Sequence, residues 1–248
     1  TLLPINYYKS LLTKKKDSYA IYAESSFKNE QKLLVIGNDV TTKYSRRSED
    51  EFDRMARYIF AMVKERPGNY MVFAPSYKML EDVSDAFLKY SKEDWRIIKQ
   101  ESGMKEADRE EFLNEFDKGD TMIAFCVMGG IFAEGIDLTE EKLIGAAILG
   151  TGLPQVGHEQ EILKKYFDER DDEGFDYAYR YPGMNKVLQS AGRVIRTVND
   201  RGVILLLDER FLQSANKKLF PREWSDYKIC NVTNVGEEIS KFWSNPSL

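Results

Sequence analysis

Gln189, Arg193 and Arg196 are the residues whose types and spacing could do chemistry together. At about 100° per residue, the run 185–196 reads as a helix that gathers these three within about 60° of one another. One amide and two guanidiniums on one face suit an anion, because Arg offers a planar fork of donors that stays charged and matches phosphate oxygens. Gly192 removes a side chain beside the cluster, so a bulky ligand can approach the backbone there. Met184, Val187, Ala191, Val194 and Ile195 gather on the opposite face and would anchor the helix on a core. The same periodicity also describes an ordinary amphipathic helix carrying two solvated arginines.

The elements around this cluster follow from apolar patterning. Short apolar or β-branched runs at 19–22, 32–36, 70–74, 95–98, 121–127, 143–149 and 203–207 predict strands. Between them, 49–64 carries Phe52, Met55, Ala56, Ile59, Phe60 and Val63 at helical spacing. Further helices are predicted after Ser76, over 105–116 and over 237–243. Strands alternating with helices of this length argue for an α/β fold, a parallel sheet with helices on both faces. In such sheets ligands sit outside the carboxyl ends of the strands. Two segments fall there. Ser76 is placed as an N-cap, and a helix N-terminus following a parallel strand is also a ready anion site. Gly129, Gly130 and Gly135 put three glycines in seven positions after a strand, which predicts either a close approach to a ligand or a tight loop held by local Asp and Glu.

At 248 residues the chain is long enough for one large domain with a sizeable core. No apolar run approaches the length of a membrane span. Cys126 and Cys230 are too few for a disulfide framework or a four-Cys metal site, so a reducing, cytoplasmic setting is expected. His158, the only histidine, has no partner spacing and reads as a surface residue. The net charge of −5 counts against a purely electrostatic nucleic-acid binder, so any such contact must come from local patches. Lys43, Arg46 and Arg47 make one small basic cluster, read here as a solvated loop. Phe175, Tyr177, Tyr179, Arg180 and Tyr181 interleave rings with a base; core packing is the favoured reading over base stacking. Asp208-Glu209 after an apolar strand has the form of a Walker B pair, but G-x-x-x-x-G-K-[ST] occurs nowhere in the chain, which makes that the weaker reading.

Several of these segments together carry a resemblance. Q-x-x-G-R-x-x-R at 189–196, with the strand and D-E-R-F that follow, resembles motif VI of superfamily-two helicases and is closest in wording to XPD-like and DinG-like DNA helicases. V-F-A-P-S-Y at 72–77 resembles motif IV. G-I-F-A-E-G-I-D at 130–137 resembles motif V, departing at Ala133 where Ser is frequent. G-L-P at 152–154 and T-L-L-P at 1–4, the latter like the tail of motif III followed by a short helix, add to it. The resemblance implies a RecA-like (P-loop NTPase-type) second motor domain over residues 1–248, cut from a longer chain whose first motor domain is absent. It makes Arg193 and Arg196 arginine fingers on ATP, with Gln189 positioning the γ-phosphate or the attacking water. Glu134, Gly135, Asp137 and Gly192 would line the ATP cleft; Ser76, Tyr77 and Gly130 would contact nucleic acid. The expected cofactor is ATP with Mg²⁺, its metal ligands in the absent domain, and an iron–sulfur cluster in that absent part is left open. Single-stranded DNA or a duplex junction and the first motor domain are the expected partners, no membrane is, and the isolated fragment is expected to be inactive. Two alternatives stand beside this: a non-catalytic nucleic-acid-binding or docking domain with a helicase-like fold, and an RNA helicase domain. Intact Gln189, Arg193 and Arg196 argue against the first, and the E-G-I-D wording favours DNA over the second.

Overall fold

The computed structural model describes residues 4–13, 15, 17–23, 25–132, 138 and 142–245. Among the described residues seven strands form one sheet: β1 (Lys32–Gly37), β2 (Asn69–Ala74), β3 (Arg96–Lys99), β4 (Met122–Val127), β5 (Gly145–Leu149), β6 (Gly202–Leu207) and β7 (Tyr227–Cys230). Their order is β3-β4-β2-β5-β6-β1-β7 and every pairing is parallel, with Gly145 opposite Val203 and Leu34 opposite Ile204. Parallel strands need crossovers, and α2 (Glu49–Val63), α3 (Tyr77–Leu88), α4 (Glu106–Asn114), α5 (His158–Asp171), α6 (Tyr181–Ala191) and α7 (Ser214–Lys217) lie on them, while α1 (Ile5–Leu12) precedes the sheet and α8 (Val235–Ser244) follows it.

The period-two pleat divides each central strand between two cores. Val35, Tyr70, Val72, Phe125, Leu149 and Leu205 pack under α2, α3 and α8. Leu34, Ile36, Phe73, Ala124, Ile148 and Leu206 pack under α4 and α6. Both faces are therefore apolar, and the strands read as continuous apolar runs because each is buried on both sides. Ser48 and Ser76 cap α2 and α3, their side chains accepting from Glu51 N and Met79 N at 3.2 Å.

The strand expected at 19–22 does not form. Tyr19 and Ile21 are almost fully exposed, and Tyr22 is tethered instead by its hydroxyl to Glu223 Oε2 at 2.8 Å. Its residues have the β propensity, but among the described residues the sheet ends at β7, whose outer edge they do not join. The acidic run at 168–173 is partly helical: α5 carries on to Asp171, and Asp172 closes it in the left-handed region at φ 57°. Among the described residues, no helix is long and apolar enough to cross a membrane.

Candidate functional site

α6 is anchored as its pattern requires, with Met184, Val187, Leu188 and Ala191 buried against the sheet. Tyr177 and Tyr179, just before it, are buried as the core-packing reading expects, Tyr177 lying 4.4 Å from the Phe167 ring, while Phe175 stays partly exposed. Near its start Gly183 meets the turn after β5: a Cβ there would lie 2.8 Å from Thr151 O, and a Cβ on Gly152 would collide with the Gly183 carbonyl oxygen. Midway, a Cβ on Gly129 would meet Lys186 Cδ at 3.1 Å. The helix thus runs from the loops at the carboxyl edge of the sheet towards its amino edge, where Val194 packs on Gly202.

The helix does not continue to Arg196. It ends at Ala191, with Gly192 as its C-cap at φ −67° and ψ 0°. Arg193 N and Val194 N donate to Ser190 O and Ala191 O at 3.3 Å, a last turn of i→i+3 bonds, and the chain then leaves the helical path. Gln189 is therefore an exposed residue of the final turn, Arg193 is half-buried beyond it, and Arg196 is exposed in the following loop. The single helical face expected over 185–196 is therefore not formed: Gln189 alone of the three lies in the helix, and Arg193 and Arg196 follow its end.

Asp200 holds the chain beyond that end. Buried, it accepts through Oδ2 from Arg196 N at 2.6 Å and Thr197 N at 2.7 Å, and through Oδ1 from Thr197 Oγ1 at 2.8 Å. A carboxylate that satisfies these backbone donors competes directly with helical continuation. Gln31, also buried, closes the other side: its Nε2 donates to Asp200 O at 2.8 Å and Val198 O at 3.0 Å, and its Oε1 accepts from Lys28 N at 2.8 Å. The turn that carries Arg196 is thus held by two residues that sequence reading did not single out. The signal for Asp200 was present, an Asp four residues after Arg196 and just ahead of an Arg-Gly pair. Gln31 lies too far away in sequence to be found.

At the carboxyl edge, Ser76, Tyr77 and Gly130 come together. Their link is Gln100, a buried side chain at the end of β3. Its Oε1 accepts from Val127 N at 2.9 Å, its Nε2 donates to Tyr77 Oη at 3.1 Å, and a Cβ on Gly130 would sit 3.1 Å from that nitrogen. Glu134, Gly135 and Asp137 lie outside the described residues; the Gly129-Gly130 start of their segment adjoins α6.

Asp208 and Glu209 are already engaged. Asp208, fully buried, accepts from Arg210 Nε and Nη2 at 2.8 Å, from Thr42 N at 2.7 Å and from Thr41 Oγ1 at 3.2 Å. Burial alone would raise its pKa, but the hydrogen bonds and charge of Arg210 and the Thr42 N–H outweigh it and hold the carboxyl below its ordinary value. Glu209 takes Lys43 at 2.7 Å and Arg46 at 3.5 Å. A pair so committed has no geometry left for a Walker B role. Among the described residues no cluster of three His, Cys, Asp or Glu is arranged to hold a metal ion. Cys126 and Cys230 are free and buried, which pushes both thiols above their ordinary pKa.

Comparison with known proteins adds the following. Residues 59–227 match a family model described as the helicase C-terminal domain. The chain is 28% identical over 242 residues to a Methanocaldococcus jannaschii protein named "Probable ATP-dependent helicase", covering 89% of this chain and 36% of that one. It is 28% identical over 182 residues to the ATP-dependent DNA helicase XPD of Sulfolobus acidocaldarius, covering 71% and 31%. A solved structure titled as an XPD helicase superposes on 80% of this chain and 35% of its own with a TM-score of 0.65 at 24% identity, so the fold is RecA-like. The chain spans about a third of the length of the curated relatives it matches.

Proposed function

The chain belongs to the helicase C-terminal domain family, as the C-terminal domain of an XPD-like helicase, and we propose that it acts as the second motor domain of an ATP-dependent DNA helicase. Arg193 and Arg196 reach an ATP molecule held mainly by another motor domain of the same polypeptide. The observation that carries this reading is the end of α6, where the Gln189 amide sits in the last turn, Arg193 follows it, and the loop that carries Arg196 is fixed by Asp200 and Gln31. Such pre-organisation matters because an arginine stabilises a transferring phosphoryl group only when its donors are in place as charge develops. Where measured in other NTPases, arginine fingers contribute about 10³–10⁵ in rate. Gln189 orients the γ-phosphate or the attacking water, Gly192 leaves the backbone open beside them, and Glu134, Gly135 and Asp137 line the same cleft.

The donor set fits the phosphates of ATP and not its metal. Asp208 and Glu209 are consumed by Arg210, Thr42, Lys43 and Arg46, so the Mg²⁺ ligands and phosphate loop are assigned to the other domain. Bound Mg²⁺ would neutralise charge on the phosphate oxygens. This chain alone then hydrolyses no ATP. At the carboxyl edge, Ser76 accepts from Met79 N and keeps its hydroxyl hydrogen for a phosphate, while Tyr77 and Gly130, tied by Gln100, complete a contact to one DNA strand.

The test is Arg193→Ala in the full-length polypeptide. ATP turnover should fall by about 10²-fold or more, with single-stranded DNA affinity little changed. Arg193→Lys should rescue poorly, because an ammonium does not reproduce the planar fork. Normal turnover with lost DNA affinity would move Arg193 onto the DNA track and overturn the assignment.

A further inference from the structure

The loop after β1 is more than a solvated basic turn. Glu51, buried at the start of α2, accepts from Thr41 N at 2.5 Å, Arg46 Nη2 at 3.0 Å and Arg54 Nη2 at 2.8 Å. Asp208 holds Thr41 and Thr42 from the other side, and Glu209 holds Lys43 and Arg46. These carboxylates together fix the loop from Thr41 to Arg46. What they fix in place is an exposed ring: Tyr44 is 84% exposed, with the Arg47 guanidinium 5.4 Å from its centroid. Between residues 25 and 76, all described, Tyr44 is the only large hydrophobic left exposed.

We propose that Tyr44, backed by Arg47, is a base-stacking subsite for single-stranded nucleic acid. The inference rests on the DNA-track reading above and extends that track across the sheet. All strands are parallel, so the loop after β1 shares the carboxyl edge with Ser76, Tyr77 and Gly130. β1 lies three places from β2 in the sheet order, which at the usual strand spacing is about 14 Å, a few nucleotides of a single strand. A ring with a cation on one face offers its other face to a base, and stacking of this kind is indifferent to sequence because every base has a π-face. The anchors remove the cost of ordering the loop on binding. A protein partner is the weaker fit, since one isolated ring among Lys43, Ser45, Arg46, Arg47 and Ser48 makes no apolar patch.

The test titrates the 248-residue chain with a labelled oligo(dT) strand at low salt. Tyr44→Ala should weaken binding about tenfold, in line with the loss of one stacked base, and Tyr44→Phe should bind as the parent does. In Tyr44→Trp, the added indole fluorescence should be quenched on titration, judged against the parent's own three tryptophans. Gly130→Asp, which sets a negative charge on the other part of the track, separates the outcomes. If Gly130→Asp weakens binding but Tyr44→Ala does not, and the indole signal of Tyr44→Trp stays unchanged, the subsite is overturned and the DNA-track reading stands. If the parent chain binds no strand, both fall together.

Discussion

Removing the Asp200 carboxylate should release the turn that carries Arg196. The three hydrogen bonds it accepts lie between 2.6 and 2.8 Å, and the residue is buried. Bonds to a charged group contribute about 1.5–3 kcal/mol each, but they share one anchor, and water reaches part of an exposed loop once the side chain is gone. A net loss of about 2–4 kcal/mol is expected for Asp200→Ala. In a domain of this size that corresponds to a fall in Tm of about 4–16 °C. Asp200→Asn keeps one acceptor and turns an NH2 group towards an N–H donor, so it should lose about half as much. Thermal unfolding of the isolated chain reads the stability, and ATP turnover of the full-length polypeptide, measured well below the transition, reads the positioning. Both variants should lower kcat with little change in KM for ATP, Asn less than Ala. A Tm within about 1 °C of the parent for Asp200→Ala would refute the reasoning. A lowered Tm with unchanged kcat would show an anchor that positions nothing.

Two further outcomes follow from the fold. Asp208 has its pKa held below the ordinary carboxylate value, so its stabilisation is complete above the unfolded value of about 3.9 and is lost as pH falls through the folded one. Denaturant unfolding followed from neutral pH into that range should show a flatter acid limb for Asp208→Asn, and an unaltered limb would contradict the pairing with Arg210. Gly152 sits at φ 68°, where a Cβ would strike the Gly183 carbonyl oxygen. Gly152→Ala should cost at least about 1–3 kcal/mol, whereas Gly192→Ala, at φ −67° and with Leu188 O at 3.1 Å, should cost less than about 1 kcal/mol; equal losses would be contrary evidence.

The central strands were legible in the sequence because burial on both faces leaves unbroken runs such as 70–74 and 203–207, and α2 and α3 carry a clear stripe, whereas the edge strand β7, with Lys228 and Ile229 exposed, has no such run and was not expected. What escaped reading depends on partners distant along the chain. Tyr19 and Ile21 have strand-forming types but stay exposed and join no strand, and propensity alone does not report that. α5 escaped because it buries little beyond Phe167, so its pattern has no strong apolar face. At the site, periodicity placed Gln189, Arg193 and Arg196 on one helical face, yet the helix ends at Ala191, and beyond its last turn Asp200 takes the N–H groups of Arg196 and Thr197. Gln31 reaches Asp200 O from 169 residues away and Gln100 reaches Val127 N from 27, and no local spacing announces either.

The central claim is that Arg193 and Arg196 meet the transferring phosphoryl group and not the nucleotide as a whole. Affinities of the full-length polypeptide for ADP and for ADP with aluminium fluoride, a mimic of the phosphoryl in flight, test it most directly. Interactions made only in the transition state should appear with the mimic alone. For Arg193→Ala the account predicts ADP affinity close to the parent's and affinity for the mimic about 10²-fold lower or more. Equal loss with both ligands would make Arg193 a general nucleotide contact, and no loss with either would contradict the account.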